Sequence, residues 1–116
     1  MIKLTLTEEQ AQVVATACEF YARMRVGQNT VLLEHALDRE PASESDFQRK
    51  EEALRHLLEA RKQILPELRG MEHSYGYGKF PDADQSFDVY QVLRYALGSD
   101  RKPWSLTELP KCEKEP

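Results

Sequence analysis

Gly70-Met71-Glu72-His73-Ser74-Tyr75-Gly76-Tyr77-Gly78-Lys79-Phe80-Pro81 runs directly into Asp82-Ala83-Asp84-Gln85-Ser86-Phe87-Asp88-Val89-Tyr90-Gln91-Val92-Leu93-Arg94-Tyr95-Ala96-Leu97-Gly98. A glycine- and tyrosine-rich crossing thus meets a helical pattern, and the rest of the chain is read from that junction. Phe87, Val89, Tyr90, Leu93, Ala96 and Leu97 place an apolar band along a helix, and Asp82 or Asp84 stands where a side chain can cap its start. Gly98 suits the left-handed residue just past a helix end. The residues ahead of the crossing read as helices that hold it in place.

Working back from the crossing, Pro66 lacks the helical donor and clashes with the carbonyl one turn earlier, so a preceding helix should stop or kink close to Leu65. That helix has apolar positions at Ala53, Leu54, Leu57, Leu58, Ile64, Leu65 and Leu68, with Glu51, Glu52, Arg55, Glu59, Arg61 and Lys62 on a solvated face. Ser45-Asp46-Phe47-Gln48 has the spacing of a capping box, and residues 38–45, with Pro41, read as the linker before it. Further back, Thr7-Glu8-Glu9-Gln10 repeats the box and starts a first helix at Glu8. Its expected core stripe is Val13, Val14, Ala17, Cys18, Tyr21, Met24, Val31 and Leu32. Continued to Leu37, such a helix would be about 45 Å long, longer than a domain of this size is wide, so Gly27 should mark a kink or the end should project into a partner subunit.

Ile2, Leu4 and Leu6 alternate with polar residues, as does Trp104-Ser105-Leu106, which allows these two segments to pair. The expected architecture is mainly α: a three-helix core with a long kinked first helix, an antiparallel second helix and a capped third helix, to which the termini can add a short two-stranded β ribbon. A single helical domain is expected over residues 1–110, with a disordered tail at 111–116.

The chain has 116 residues, 41% hydrophobic and 31% charged, with a formal net charge of -4. This size suits one modest core, and the acidic balance argues against general attraction to nucleic acid or anionic lipid. Two cysteines, Cys18 and Cys112, imply no disulfide framework and fit a reducing compartment. No apolar run approaches the roughly 20 residues that span a bilayer, and the first residues lack the apolar core of a signal peptide, so the cytoplasm is the expected location.

His35, His56 and His73 form no ligand pair on one helix face, Cys18 has no adjacent base, and no phosphate-loop, dinucleotide or Gly-x-Ser-x-Gly fingerprint occurs. Neither a catalytic centre nor a metal or cofactor site is expected; a hydrolase built on Asp88, Glu72 or His73 is the least favoured alternative. The crossing does have the ingredients of a ligand site. Gly70, Gly76 and Gly78 free backbone donors, Tyr75, Tyr77 and Phe80 offer ring faces, and Arg69 and Lys79 bracket them with positive charge. Asp82 and Asp84 would compete for the same donors. The contrary expectation is an aromatic lid that closes a small core. Tyr21, Arg25 and Gln28 share one helix face and Asp88, Gln91 and Tyr95 another, so these two faces could meet in a polar seam or pocket. The candidate ligand-binding residues are Arg25, Gln28, Arg69, His73, Tyr75, Gly76, Tyr77, Gly78, Lys79, Gln91 and Arg94.

Tyr21-Ala22-Arg23-Met24-Arg25-Val26-Gly27-Gln28, Leu65-Pro66-Glu67-Leu68 and Phe87-Asp88-Val89-Tyr90-Gln91-Val92-Leu93-Arg94 together resemble short, uncharacterised helical proteins encoded by bacteriophages and prophages. The resemblance covers most of the chain between residues 7 and 100 and implies a helical accessory protein without assigned activity. By analogy, small phage proteins counter host defence by trapping a nucleotide signal or by blocking a host protein. The expected function is therefore non-enzymatic binding of a small anionic nucleotide through the Gly/Tyr crossing. The alternative is a protein-protein inhibitor that docks on a host defence or replication protein. A homo-oligomer is expected, because the apolar surface exceeds what one small core can cover.

Overall fold

The computed structural model describes residues 1–36, 43–68 and 74–115, with the side chains of His35 and Ala36 outside that description. The chain is mainly helical: α1 (Glu8–Arg25), α2 (Val31–Ala36), α3 (Glu44–Ile64) and α4 (Pro81–Ala96). No strand occurs among the described residues, so the expected terminal ribbon is not formed by them. Contacts divide the chain into one unit of Met1–Ala22 with Tyr77–Pro116 and another of Arg23–Gly76.

The start of α1 follows the capping box. Thr7 N donates to Gln10 Oε1 at 3.0 Å, and Gln10 N donates to Thr7 Oγ1 at 3.1 Å, so each residue satisfies a donor that the helix start leaves free. The long first helix expected from periodicity is instead broken in two. Gly27, at φ 94°, follows α1; its N–H donates to Met24 O at 3.0 Å, and Gln28 N donates to Arg23 O at 2.9 Å. This paired return of donors to the last carbonyls is a Schellman ending, which needs a left-handed residue and so favours glycine. Gly98, at φ 111°, ends α4 in the same way, with Gly98 N on Tyr95 O and Ser99 N on Arg94 O, both at 3.1 Å.

The unit Arg23–Gly76 is organised around the turn at Gly27. Val31 and Leu68 are buried there, Asn29 Nδ2 donates to Leu57 O at 2.8 Å, and Tyr75 N donates to Val26 O at 2.8 Å. Arg61 of α3, 4% exposed, donates to Gly27 O at 3.2 Å. α3 itself begins two residues before the expected box: Ser43 is the cap, and its side chain accepts from Asp46 N. Its end agrees with the position of Pro66, since Leu65 forms the C-cap and donates to Arg61 O at 2.7 Å.

In the unit of Met1–Ala22 and Tyr77–Pro116, α1 buries Ala15 and Ala22, and α4 buries Ala83 and Val92. Ser86 Oγ donates to Cys18 O at 2.7 Å between the two helices. Small side chains on this face bring the backbones near enough for that bond. The expected stripe is covered only in part: Val13, Ala17, Tyr21 and Leu32 are exposed, Val14, Cys18 and Met24 are half-buried and Val31 is buried, while the buried residues of α1 are Ala15 and Ala22. Residues 111–115 have no regular structure, and Lys114 Nζ lies 3.4 Å from Glu8 Oε1.

Candidate functional site

The most covered side chains of α4 are polar. Asp84, Asp88 and Gln91 recur at one helical face, one turn apart, and each is spent on main chain that has no regular structure of its own. Asp84 does not cap α4, whose N-cap is Phe80 with Pro81 at the first position and no side-chain capping bond. Instead its carboxylate accepts from Gly78 N at 3.0 and 3.3 Å. Asp82, the other expected cap, accepts from Ala83 N at 3.0 Å and from Tyr21 Oη at 2.6 Å.

Further along α4, Asp88 is 1% exposed and Gln91 0%. Asp88 accepts from Leu106 N at 2.9 Å, Thr107 N at 2.8 Å and Thr107 Oγ1 at 2.7 Å. Gln91 Nε2 donates to Trp104 O at 2.8 Å while its Oε1 accepts from Trp104 N at 3.0 Å. A buried amide and carboxylate would be costly without partners, and here residues 104–107 supply them. Of the residues expected to form a polar seam with Tyr21, Arg25 and Gln28, Asp88 and Gln91 have their polar atoms engaged by residues 104–107, and Tyr95 is exposed.

The clamps fix two otherwise irregular segments beside each other and so bring their rings together. Tyr77 and Trp104 meet edge to face with centroids 5.2 Å apart, Phe87 lies 5.6 Å from Tyr77 and 5.9 Å from Trp104, and Tyr90 continues the cluster 5.6 Å from Phe87. Phe87 and Tyr90 are half-buried, whereas Tyr77 remains 63% and Trp104 48% exposed. The result is a surface aromatic patch on a fixed backbone.

Against this geometry the sequence-predicted site separates into parts. Tyr77, Gly78 and Lys79 are exposed beside the patch-bearing crossing, but the Gly78 N–H already holds a carboxylate of the chain itself. Gln91 is buried, and both ends of its amide are engaged by Trp104. Arg94 is half-buried, with its guanidinium carbon 5.0 Å from the Tyr90 ring centroid, NH1 3.4 Å from Tyr90 Oη and Nε without a hydrogen-bond partner among the described residues. In the unit Arg23–Gly76, Gln28 lies in the turn after α1, where it accepts from Arg23 Nε at 3.0 Å and donates to Ser74 Oγ at 3.4 Å. Tyr75 is half-buried with its hydroxyl on Glu67, a hydrogen bond that, ahead of desolvation and the nearby carboxylate charge, raises the phenol pKa. Arg25 and Gly76 are exposed. Arg69, Gly70, Glu72 and His73 lie outside the described residues.

Of the remaining candidates, His56 is exposed 3.7 Å from Glu52, and Asp88, the described member of the hydrolase alternative, has its oxygens occupied by residues 106 and 107. Sequence reasoning missed the role of Trp104, which it read only as part of an alternating segment able to pair with residues 2–6. The available signal was its position, the chain's single tryptophan set in a polar stretch one residue after Pro103. No family model, curated protein or solved structure matches this chain.

Proposed function

We propose that the chain is a non-enzymatic recognition module that docks on a polypeptide through the surface formed by Tyr77 and Trp104. The carrying observation is that two large exposed rings pack against each other at 5.2 Å on backbone held by buried side chains. Tyrosine and tryptophan are frequent anchors of protein interfaces, and a site whose backbone is already fixed loses little further freedom on binding. The resemblance to phage-encoded accessory proteins points to a host defence or replication protein in the host cytoplasm as the partner.

The nucleotide reading is second. It is favoured by Lys79 and Tyr77 standing exposed together in the crossing, and weakened by the engagement of Gly78 N and Gln91 within the chain. The test uses immobilised wild type beside Tyr77→Ala and Trp104→Ala, the latter of which keeps the main-chain bonds to Gln91. A polypeptide retained from host lysate by wild type and by neither variant, and bound again after purification by calorimetry, is the expected result. A nucleotide that shifts Trp104 emission, with no polypeptide distinguishing the variants, overturns it in favour of the second reading.

A further inference from the structure

The pattern of hydrogen bonds on α4 has a consequence separate from the exposed rings. Asp88 and Gln91 direct their contacts to residues 104–107 almost wholly at main chain: the N–H groups of Trp104, Leu106 and Thr107 and the carbonyl of Trp104. Gln91 pairs with both polar groups of one residue, as a neighbouring strand would, and Asp88 gathers two successive N–H groups on one carboxylate. Main chain is common to every polypeptide, so this chemistry is transferable. We propose that Asp88 and Gln91 form a peptide-binding slot, that residues 103–109 fill it in cis as a displaceable strap, and that its ligand in trans is a polypeptide segment of the pattern Trp-x-Leu-Thr.

The side chains define that pattern. The first position places an indole against Phe87 and Tyr77, the third is the half-buried Leu106, and the fourth adds the Thr107 hydroxyl to Asp88 at 2.7 Å. Ser105 is exposed and uses its hydroxyl within the strap, donating to Thr107 O at 2.9 Å, so the second position is open. The strap has no helix or strand to unwind on leaving, and its tether leaves α4 through left-handed Gly98 and the exposed Asp100, Arg101 and Lys102. With the strap away, Asp88 and Gln91 would need new partners, and another main chain satisfies them in the same way. This inference does not require the docking reading of Tyr77.

The test keeps the whole chain. A protease recognition sequence is placed after Asp100, the folded protein is cleaved there, and a labelled peptide of residues 102–110 is added. The expected result is that the resident fragment stays bound after cleavage and is replaced by the labelled peptide, seen as a rise in anisotropy. A peptide N-methylated at the Leu106 and Thr107 amides should compete about tenfold or more worse, the scale of a lost bond to a charged group. Asp88→Asn should weaken the parent peptide similarly while far-ultraviolet dichroism stays unchanged. Failure of excess peptide to displace the fragment, loss of the fragment without rebinding, or equal competition by the N-methylated peptide would each overturn the proposal.

Discussion

Gly27 is where a missing side chain matters most. Its φ of 94° is strained for any residue with a Cβ, and a methyl group there would lie 2.5 Å from Leu68 Cδ1 and 3.3 Å from Leu65 Cδ1. Gly98 has the same backbone requirement at φ 111° with nothing within 4 Å, so it isolates the backbone term from the crowding term. Gly98→Ala should cost about 1 kcal/mol, and Gly27→Ala about 1 kcal/mol more because Leu68 must also move. Urea unfolding followed by helical dichroism compares the two; a Gly27→Ala loss no larger than that of Gly98→Ala would remove crowding from the account. Tyr75 gives a second residue-level expectation. Its phenol pKa is raised above 10.0 by the hydrogen bond to Glu67, so the stabilisation it brings is fully present below the unfolded value and is lost as pH rises through the folded one. The stability difference between wild type and Tyr75→Phe should be flat up to about pH 10 and shrink above it. A difference that stays constant through that range would disconnect the hydroxyl from folding.

At the scale of elements, the start of α1 and the ends of α3 and α4 were legible because they depend on local chemistry, whereas the caps of α3 and α4 are Ser43 and Phe80 rather than Ser45 and Asp82 or Asp84. Thr7 and Gln10 close the expected box, Pro66 stops α3, and Gly98 takes the expected left-handed conformation. Thr7→Ala should therefore cost about 1 kcal/mol and speed amide exchange at Gln10 without touching α4. Gly27 misled because its cost inside a helix and its value just beyond one look alike in sequence; only the returning bonds from Gly27 and Gln28 separate a kink from an end. The polar face of α4 was not legible for a deeper reason. Periodicity sets Asp88 and Gln91 on one face and offers Asp84 as a cap but names no partner for them, and all three turn inward to serve main chain that has no ladder or helix of its own. Periodicity likewise left Trp104 unlinked to Tyr77. Gln91→Leu tests the clamp: it fills the space but leaves the N–H and carbonyl of Trp104 unpaired, so a loss of about 1–3 kcal/mol is expected. Freer rotation of the indole should appear as lower Trp104 fluorescence anisotropy, and unchanged anisotropy would show that the ring cluster alone holds the strap.

For the whole molecule, the balance of apolar surface argues for self-association. Among the described residues the buried apolar side chains are Ala15, Ala22, Val31, Leu68, Ala83 and Val92, half of them alanines, while Val13 stays 68% exposed with Phe47, Ile64, Ile2 and Leu4 also open. Single exposed apolar residues are ordinary. Here, though, several large ones stand outside while half of the buried ones are alanines, and covering each large one stabilises by about 1.5–3 kcal/mol. A second copy presents the same surfaces, and a two-fold dimer is the simplest closed arrangement of them. Light scattering across a concentration series should show the mass rise from 13.4 kDa towards twice that value. Val13→Asp and Ile64→Asp then ask which unit carries the contact, α1 in one and the end of α3 in the other, and the variant that holds the chain at monomer mass identifies it. A monomer mass at every concentration would overturn self-association, and the exposed side chains would then have to be explained by a different chain.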